Sequence, residues 1–436
     1  MKKNLLFAEK AFTVLSLLHY SGGPLVVIAA GGMSEGDGSG GSADFAVVQL
    51  VFLVIYLVTF CLLVLRWKKV INVITKDGLI WALVILALFS IFWSDVPNLT
   101  RTRSIALFGT TLFSLYLASR YTLKEQLQLL AWTFGIAIFA SCVFILGLPK
   151  YGRMTGVHWG AWRGIYYHKN VLGKVMAPSV FVFLLMALET QKRRNFYLFM
   201  SILSIFLIIR SGSSSPLGNV FIMTLVLSLV RVVRWRYDYM IPGLVALVTL
   251  STILQIFLQS NAEAIAALFG KDLTLTGRTN MWPYIFDKIW ERPWLGYGFG
   301  AFWLGLQGHS AYVWYGAGWK SPNSHNGYFD LLLELGFVGL SIYLVGFFTS
   351  LWKGLNYLRF VKTPDGFWPV IYLIYIVLAN FTESTLIIQN DFFLVIQFSI
   401  FFGLRVPQSP VIDSGLTQEI PGVRDNKKKF KNTLYK

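Results

Sequence analysis

Acidic side chains are scarce in this chain, and so is charge in general. Of 436 residues only 21 are Asp or Glu, against 38 Lys or Arg, and charged residues make up 14% while 55% are hydrophobic. A soluble domain could not cover that much apolar surface, so the balance excludes one and indicates an all-α polytopic membrane protein. Cysteine is nearly missing. Cys61 and Cys142 both lie inside apolar stretches, which argues against a disulfide framework. No convincing cluster of metal-ligating residues occurs, so neither a metal nor another cofactor is expected. The net charge of +17 suggests nucleic acid only until it is located: the basic residues sit in short clusters between apolar spans, and no nucleic-acid partner is expected.

What is there is a succession of apolar runs. About twelve spans are expected, near 11–31, 45–65, 78–93, 103–119, 127–148, 171–188, 196–210, 216–233, 239–259, 326–350, 367–385 and 390–405. Each approaches the ~20 residues that cross a hydrocarbon core, and only helices leave no backbone group unpaired there. The basic start, Met1 to Lys10, followed by a run ending Ala29-Ala30-Gly31, could pass for a signal peptide, but its length fits a retained first span. With the N-terminus inside and strict alternation, 25 of the 38 basic residues fall on the cytoplasmic side. Both termini are therefore expected on the cytoplasmic side of the membrane. Residues 1–436 read as one integral membrane domain with a long outer loop at 260–325 and a basic tail at 406–436.

The basic residues that break this pattern carry the most information. Lys150, Arg153, Arg163 and Lys169 share an outer loop, 149–170, that has no Asp or Glu. Arg101 and Arg103 lie outside with only Asp95 nearby, Arg210 ends a span at the outer face, and Lys174 lies early in the sixth span. Positive charge on the translocated side opposes insertion, so a ligand is expected to require it. Phosphate or pyrophosphate fits, since Arg grips it bidentately and Lys acts as a point charge. Attraction to anionic lipid headgroups is the bland alternative.

The 260–325 segment is far longer than an ordinary bundle connection. Within it Thr279 is expected to cap a short amphipathic helix, Asn280 to Glu291, stopped by Pro293. Gly296-Tyr297-Gly298-Phe299-Gly300 reads as a flexible turn. The segment ends in Ser321-Pro322-Asn323-Ser324-His325-Asn326-Gly327-Tyr328, which runs directly into the tenth span. Asn323 or Ser324 can cap that helix and would hold His325 near its positive end, where anions are favoured.

Here the residues resemble a family. Ser324-His325-Asn326-Gly327-Tyr328-Phe329-Asp330 with Leu333-Glu334-Leu335-Gly336 is similar to the signature of the O-antigen ligase and O-antigen polymerase superfamily. Gly277-Arg278-Thr279 with Trp282, then Arg292-Pro293-Trp294-Leu295-Gly296-Tyr297-Gly298-Phe299-Gly300, resembles that family's other block. Trp93-Ser94-Asp95 with Arg101 and Arg103, and Arg163-Gly164 with His168-Lys169-Asn170 and Gly173, resemble the exopolysaccharide-polymerase branch. One departure is visible: where members often carry a Ser-Arg or Ser-Lys pair after the seventh span, this chain has Ser214, and Arg210 is the available substitute.

The resemblance implies a metal-independent glycosyltransferase whose donor is a glycan on undecaprenyl pyrophosphate and whose acceptor is a sugar hydroxyl on another glycan or glycolipid. A chain-length regulator is a further partner such an enzyme can have. Attack on an anomeric carbon needs a base for the incoming hydroxyl and positive charge for the departing pyrophosphate. His325 is expected as base, and Arg278 with Arg163 as the clamp, supported by Lys169 and Arg210. Asp330, Glu334 and Asn326 are expected as supporting residues, the two carboxylates orienting His325 or a basic partner. Polymerase is favoured over O-antigen ligase. A flippase for the same lipid-linked glycan is disfavoured by the lack of internal repeats and midplane charges, and a non-catalytic scaffold by the long polar outer segment.

Overall fold

An apolar chain in lipid must satisfy its backbone within each segment, and it does so here with helices. The computed structural model describes residues 2–32, 45–234, 238–239, 242 and 278–406. Its helices are α1 (Lys2–Tyr20), α2 (Ala46–Val64), α3 (Trp67–Ile74), α4 (Gly78–Phe89), α5 (Pro97–Arg120), α6 (Leu123–Gly147) and α7 (Lys169–Glu189). There follow α8 (Arg194–Ser211), α9 (Ser214–Val230), α10 (Arg278–Glu291), α11 (Ser310–Ala317), α12 (Gly327–Phe360), α13 (Trp368–Asn380) and α14 (Phe392–Gly403).

Eleven of the twelve expected spans coincide with helices, while the ninth, 239–259, and the tail beyond 406 lie outside the described residues. The expected first span is divided, because the chain turns after Tyr20 and restarts in a short helix at Pro24–Ala29. Among the described residues five helices, α2, α6, α7, α8 and α12, are long and apolar enough to cross a membrane, or six if the bent pair α3–α4 forms one span. Helices thus stand at eleven expected positions, but only five or six described elements have the length and composition of a span, so the count of twelve is not established. At the centre lies α7, 78% of whose apolar window is buried, with α8 packed along it.

Polar contacts between distant segments sort into two sets. In one, Glu9 pairs with Arg66 at 2.6 Å and with Arg120 at 3.2 Å, and Asp77 pairs with Arg405 at 2.8 Å. Lys124 pairs with Glu189 at 2.5 Å, and Arg234 donates to the carbonyls of Val361 and Thr363, each at 2.8 Å. In the other, Asp95 meets Arg292 and His309, Arg103 donates to Gly300 O, and Arg163 donates to Gly32 O. Every one of these contacts joins segments that strict alternation of the spans assigns to the same side.

Candidate functional site

The sequence pattern of α12 reads as one uninterrupted span, but its backbone breaks at Gly336, with φ 62° and ψ −165°. A Cβ there would collide with the Trp294 carbonyl, so the position needs glycine. Four hydrogen bonds bridge the break to the segment before it. Tyr297 N–H donates to Leu333 O at 2.8 Å and Gly298 N–H to Glu334 O at 3.0 Å. In return Phe337 N–H donates to Pro293 O at 2.7 Å and Val338 N–H to Trp294 O at 3.2 Å. Groups that an interrupted span would leave bare are thereby paired. The segment 296–300, expected as a flexible turn, is docked instead. Gly298, at φ 100°, lets it pass so close that a Cβ would sit 2.7 Å from Ser94 Cβ.

This docking joins the upstream and downstream motif blocks. Trp93 Nε1 donates to Leu295 O at 3.1 Å, Ser90 Oγ accepts from Phe299 N–H at 2.9 Å, and Arg103 donates to Gly300 O. Asp95 takes Arg292 at 3.1 Å and His309 at 2.7 Å. Partial burial raises the Asp95 carboxyl, but the hydrogen bonds from His309 and Arg292 outweigh it and hold the group below its usual range. The α10 helix starts at Arg278, one residue before Thr279, so Thr279 lies inside the helix rather than at its cap. Met281, Ile285 and Ile289 of α10 are buried, whereas Trp290 is 67% exposed.

His325 sits on the loop between α11 and α12. Its backbone takes φ 52°, a left-handed conformation that non-glycine residues seldom adopt and that neighbours must hold in place. Asn323 Oδ1 accepts from His325 N–H at 2.9 Å, and the imidazole lies flat against Trp319, 5.3 Å between centroids at 7°. The cap of α12 is Asn326, whose Oδ1 accepts from Tyr328 and Phe329 N–H at 3.0 and 3.3 Å. Asn323 and Ser324, the expected caps, shape the loop instead. Asp330 secures the same loop: its Oδ1 accepts from Ser324 N–H at 3.1 Å and from Trp303 Nε1 at 2.8 Å. From the other side Trp282 Nε1 donates to Ser324 O at 3.2 Å.

Under this loop lies a cavity of ≈ 230 Å³. Its wall includes Arg103, Trp303, Asn323, Asp330, Glu334 and Ser384, with the connection 385–389 between α13 and α14 closing it. His325 follows the wall residues Pro322 and Asn323 in the chain.

The other expected cations gather elsewhere. Arg163 is fully buried and donates to the carbonyls of Tyr151 at 2.8 Å, Lys150 at 3.1 Å, Tyr167 at 3.3 Å and Gly32. Its fork is used by the loop itself. Lys169 Nζ donates to Gly212 O at 3.2 Å, and the exposed Arg210 lies over the Trp162 ring at 4.8 Å. The His158 and His168 rings meet edge to face, with centroids 5.6 Å apart. Burial, then the charges around it, push His168 down to about 4, so it is neutral at physiological pH and its Nδ1 accepts from Asn170 N–H to cap α7. Arg278 opens α10, and its side chain lies outside the described residues.

With that geometry in view, two comparisons bear on identity. Residues 199–344, which span Arg210, Arg278, the docked segment and the His325 loop, match the family model described as O-Antigen ligase. Over 302 residues the chain is 23% identical to the exopolysaccharide production protein ExoQ of Rhizobium meliloti (strain 1021), covering 67% of this chain and 68% of the relative. These matches support the O-antigen ligase/polymerase-like superfamily. Trp303 and Ser384 are among the wall residues that sequence reading did not name, and Arg103, singled out there as an outer cation, was not placed in the clamp. Arg103 had a usable signal, a basic residue on the wrong side of a span. Trp303 and Ser384 had none, because only the folded connections bring them to the cavity.

Proposed function

We propose that this O-antigen ligase/polymerase-type membrane enzyme transfers a glycan from undecaprenyl pyrophosphate to a sugar hydroxyl, and that it lengthens exopolysaccharide or O-antigen chains. An acceptor hydroxyl attacks the anomeric carbon of the donor, and its proton passes to His325. The bond from that carbon to the pyrophosphate oxygen breaks, and the electron pair leaves with undecaprenyl pyrophosphate. General-base help of this kind is worth ~10²–10⁴-fold, and neutralising the departing diphosphate matters comparably. Arg278, Lys169 and Arg210 supply positive charge, while Arg163 holds the 149–170 loop in shape. The reaction lies on the periplasmic side of the inner membrane and both termini are cytoplasmic; the same-side pairing of polar contacts supports that alternation.

The observation that carries this reading is the strained, stacked His325 on a loop whose Pro322 and Asn323 line a cavity together with Arg103, Asp330 and Glu334, close to a broken span. Irregular backbone at membrane depth is tolerated where it lines such a space. Incubating purified protein with a lipid-linked oligosaccharide, with and without lipid A-core, tests it. A ladder of longer lipid-linked glycans is expected; a shift of the core band alone makes the protein a ligase, and no product in either arm overturns the reading. Activity is expected to survive EDTA.

A further inference from the structure

We propose that Trp319 is a positioning residue for the transfer: its indole fixes the plane of the His325 imidazole and stabilises that ring once it holds the acceptor's proton. The inference rests on the glycosyl-transfer reading and deepens it. His325 comes from a motif, whereas Trp319 lies outside every motif block and enters only through the fold. Helix α11 ends at Ala317, and Gly318 at φ 64° turns the chain back on itself. Ser321 N–H donates to Trp319 O at 3.0 Å, and Ser321 O accepts from Trp314 Nε1 of α11 at 2.7 Å. Ser321 Oγ donates in turn to Asn323 O at 2.6 Å, and Asn323 Oδ1 accepts from His325 N–H. One short run of hydrogen bonds thus carries both rings and leaves them 5.3 Å apart, within 7° of parallel. Asn323 and Asp330 act on the loop's backbone, while Trp319 meets the imidazole itself.

A held backbone does not orient a histidine ring, because the outer torsion of the side chain is broad. A base must bring its nitrogen to about 2.6–3.2 Å from the oxygen whose proton it takes, so the ring plane has to be set by something else. Stacking by the face sets it and uses none of the ring's nitrogens. The contact also changes during the reaction. As the acceptor's O–H bond breaks and the proton bonds to a ring nitrogen, the imidazole becomes a cation against the electron-rich face of the indole. A cation within about 6 Å of a tryptophan centroid is attracted to it. The attraction grows as charge develops, so it acts on the transition state more than on the bound ground state. An indole that stacked on a sugar would instead act on substrate binding. Trp319 is 36% exposed, so a smaller apolar side chain there does not hollow the core.

The test uses full-length protein in nanodiscs with a lipid-pyrophosphate-linked oligosaccharide, and compares Trp319→Leu with Trp319→Phe. Trp319→Leu is expected to lower kcat by about tenfold with KM for the lipid-linked glycan within about twofold. Trp319→Phe keeps an aromatic face and is expected to stay within about threefold of wild-type kcat. Both replacements are apolar, so a packing role alone would treat them alike. Wild-type kcat in Trp319→Leu, a raised KM with kcat unchanged, or a Trp319→Phe no better than Trp319→Leu each overturns the assignment. If Trp319→Leu does not accumulate, NMR of wild-type protein carrying ring-labelled histidine decides, with the His325 signal assigned by its loss in His325→Gln. The indole ring current is expected to move that signal upfield of the exposed-histidine range, and a signal within the range overturns the stack. Wild-type protein that transfers nothing from any lipid-linked donor defeats the glycosyltransferase reading and this inference with it. A transferring enzyme indifferent to Trp319 loses the inference alone.

Discussion

The 149–170 loop and the break in α12 make an instructive pair. The loop advertises itself in the sequence through four basic residues and no acid, yet its most prominent cation, Arg163, spends its hydrogen bonds on backbone carbonyls. The break is silent in the sequence, hidden in a long apolar run, yet it brings Glu334 to a cavity with Arg103 and Trp303. Charge pattern reports that a cation is needed on one side of the membrane. It does not report whether the cation serves a ligand or the chain itself.

Replacing His325 by Ala is expected to have the largest effect, a loss of transfer of about 10²–10⁴-fold with unchanged membrane abundance. Product formation by gel, normalised to protein, checks it, and full activity would remove His325 from the chemistry. Arg163→Ala comes next and falls on the other side of the contrast. Up to four carbonyls lose their donor, at roughly 1–3 kcal/mol for each one left unsatisfied, so the protein is expected to lose thermal stability before it loses donor affinity. A stable Arg163→Ala with raised donor KM would return that residue to the diphosphate clamp.

A smaller effect is expected from Arg278→Lys, which turns a planar fork into a point charge: donor KM rises by about tenfold while melting temperature holds. The smallest concerns His168. Its folded imidazole titrates near 4, while the unfolded one titrates near its ordinary 6.5. Unfolding therefore takes up a proton between those values, and stability falls as pH drops through that window. His168→Asn, which keeps a capping side chain, is expected to flatten the thermal-stability profile between pH 6.5 and 4. An unchanged slope would mean that other groups set it.

Much of the fold could be read beforehand where an apolar run is long and bounded by polar residues. The span expected at 171–188 is α7 at Lys169–Glu189, and that at 196–210 is α8 at Arg194–Ser211. Hydropathy fixes such elements because lipid leaves them no alternative. It cannot see a break at Gly336, since the break depends on hydrogen bonds from Pro293–Gly298, far back in the chain. The same limit governed the cap of α12. Asn323, Ser324 and Asn326 are all competent, and tertiary contacts from Trp282 and Asp330 select Asn326. Of the site, His325 and the carboxylates were visible as a motif, whereas the cavity that the carboxylates border was not, because its wall is drawn from four separate stretches.

The bridge between Pro293–Gly298 and Leu333–Val338 bears on how chimeras with relatives are built. A donor's outer loop grafted onto this chain's tenth span would have to match it amide for amide, as one ladder half matches the other. Exchanges that cut between residues 298 and 333 are thus expected to misassemble, and those that carry both stretches together to fold.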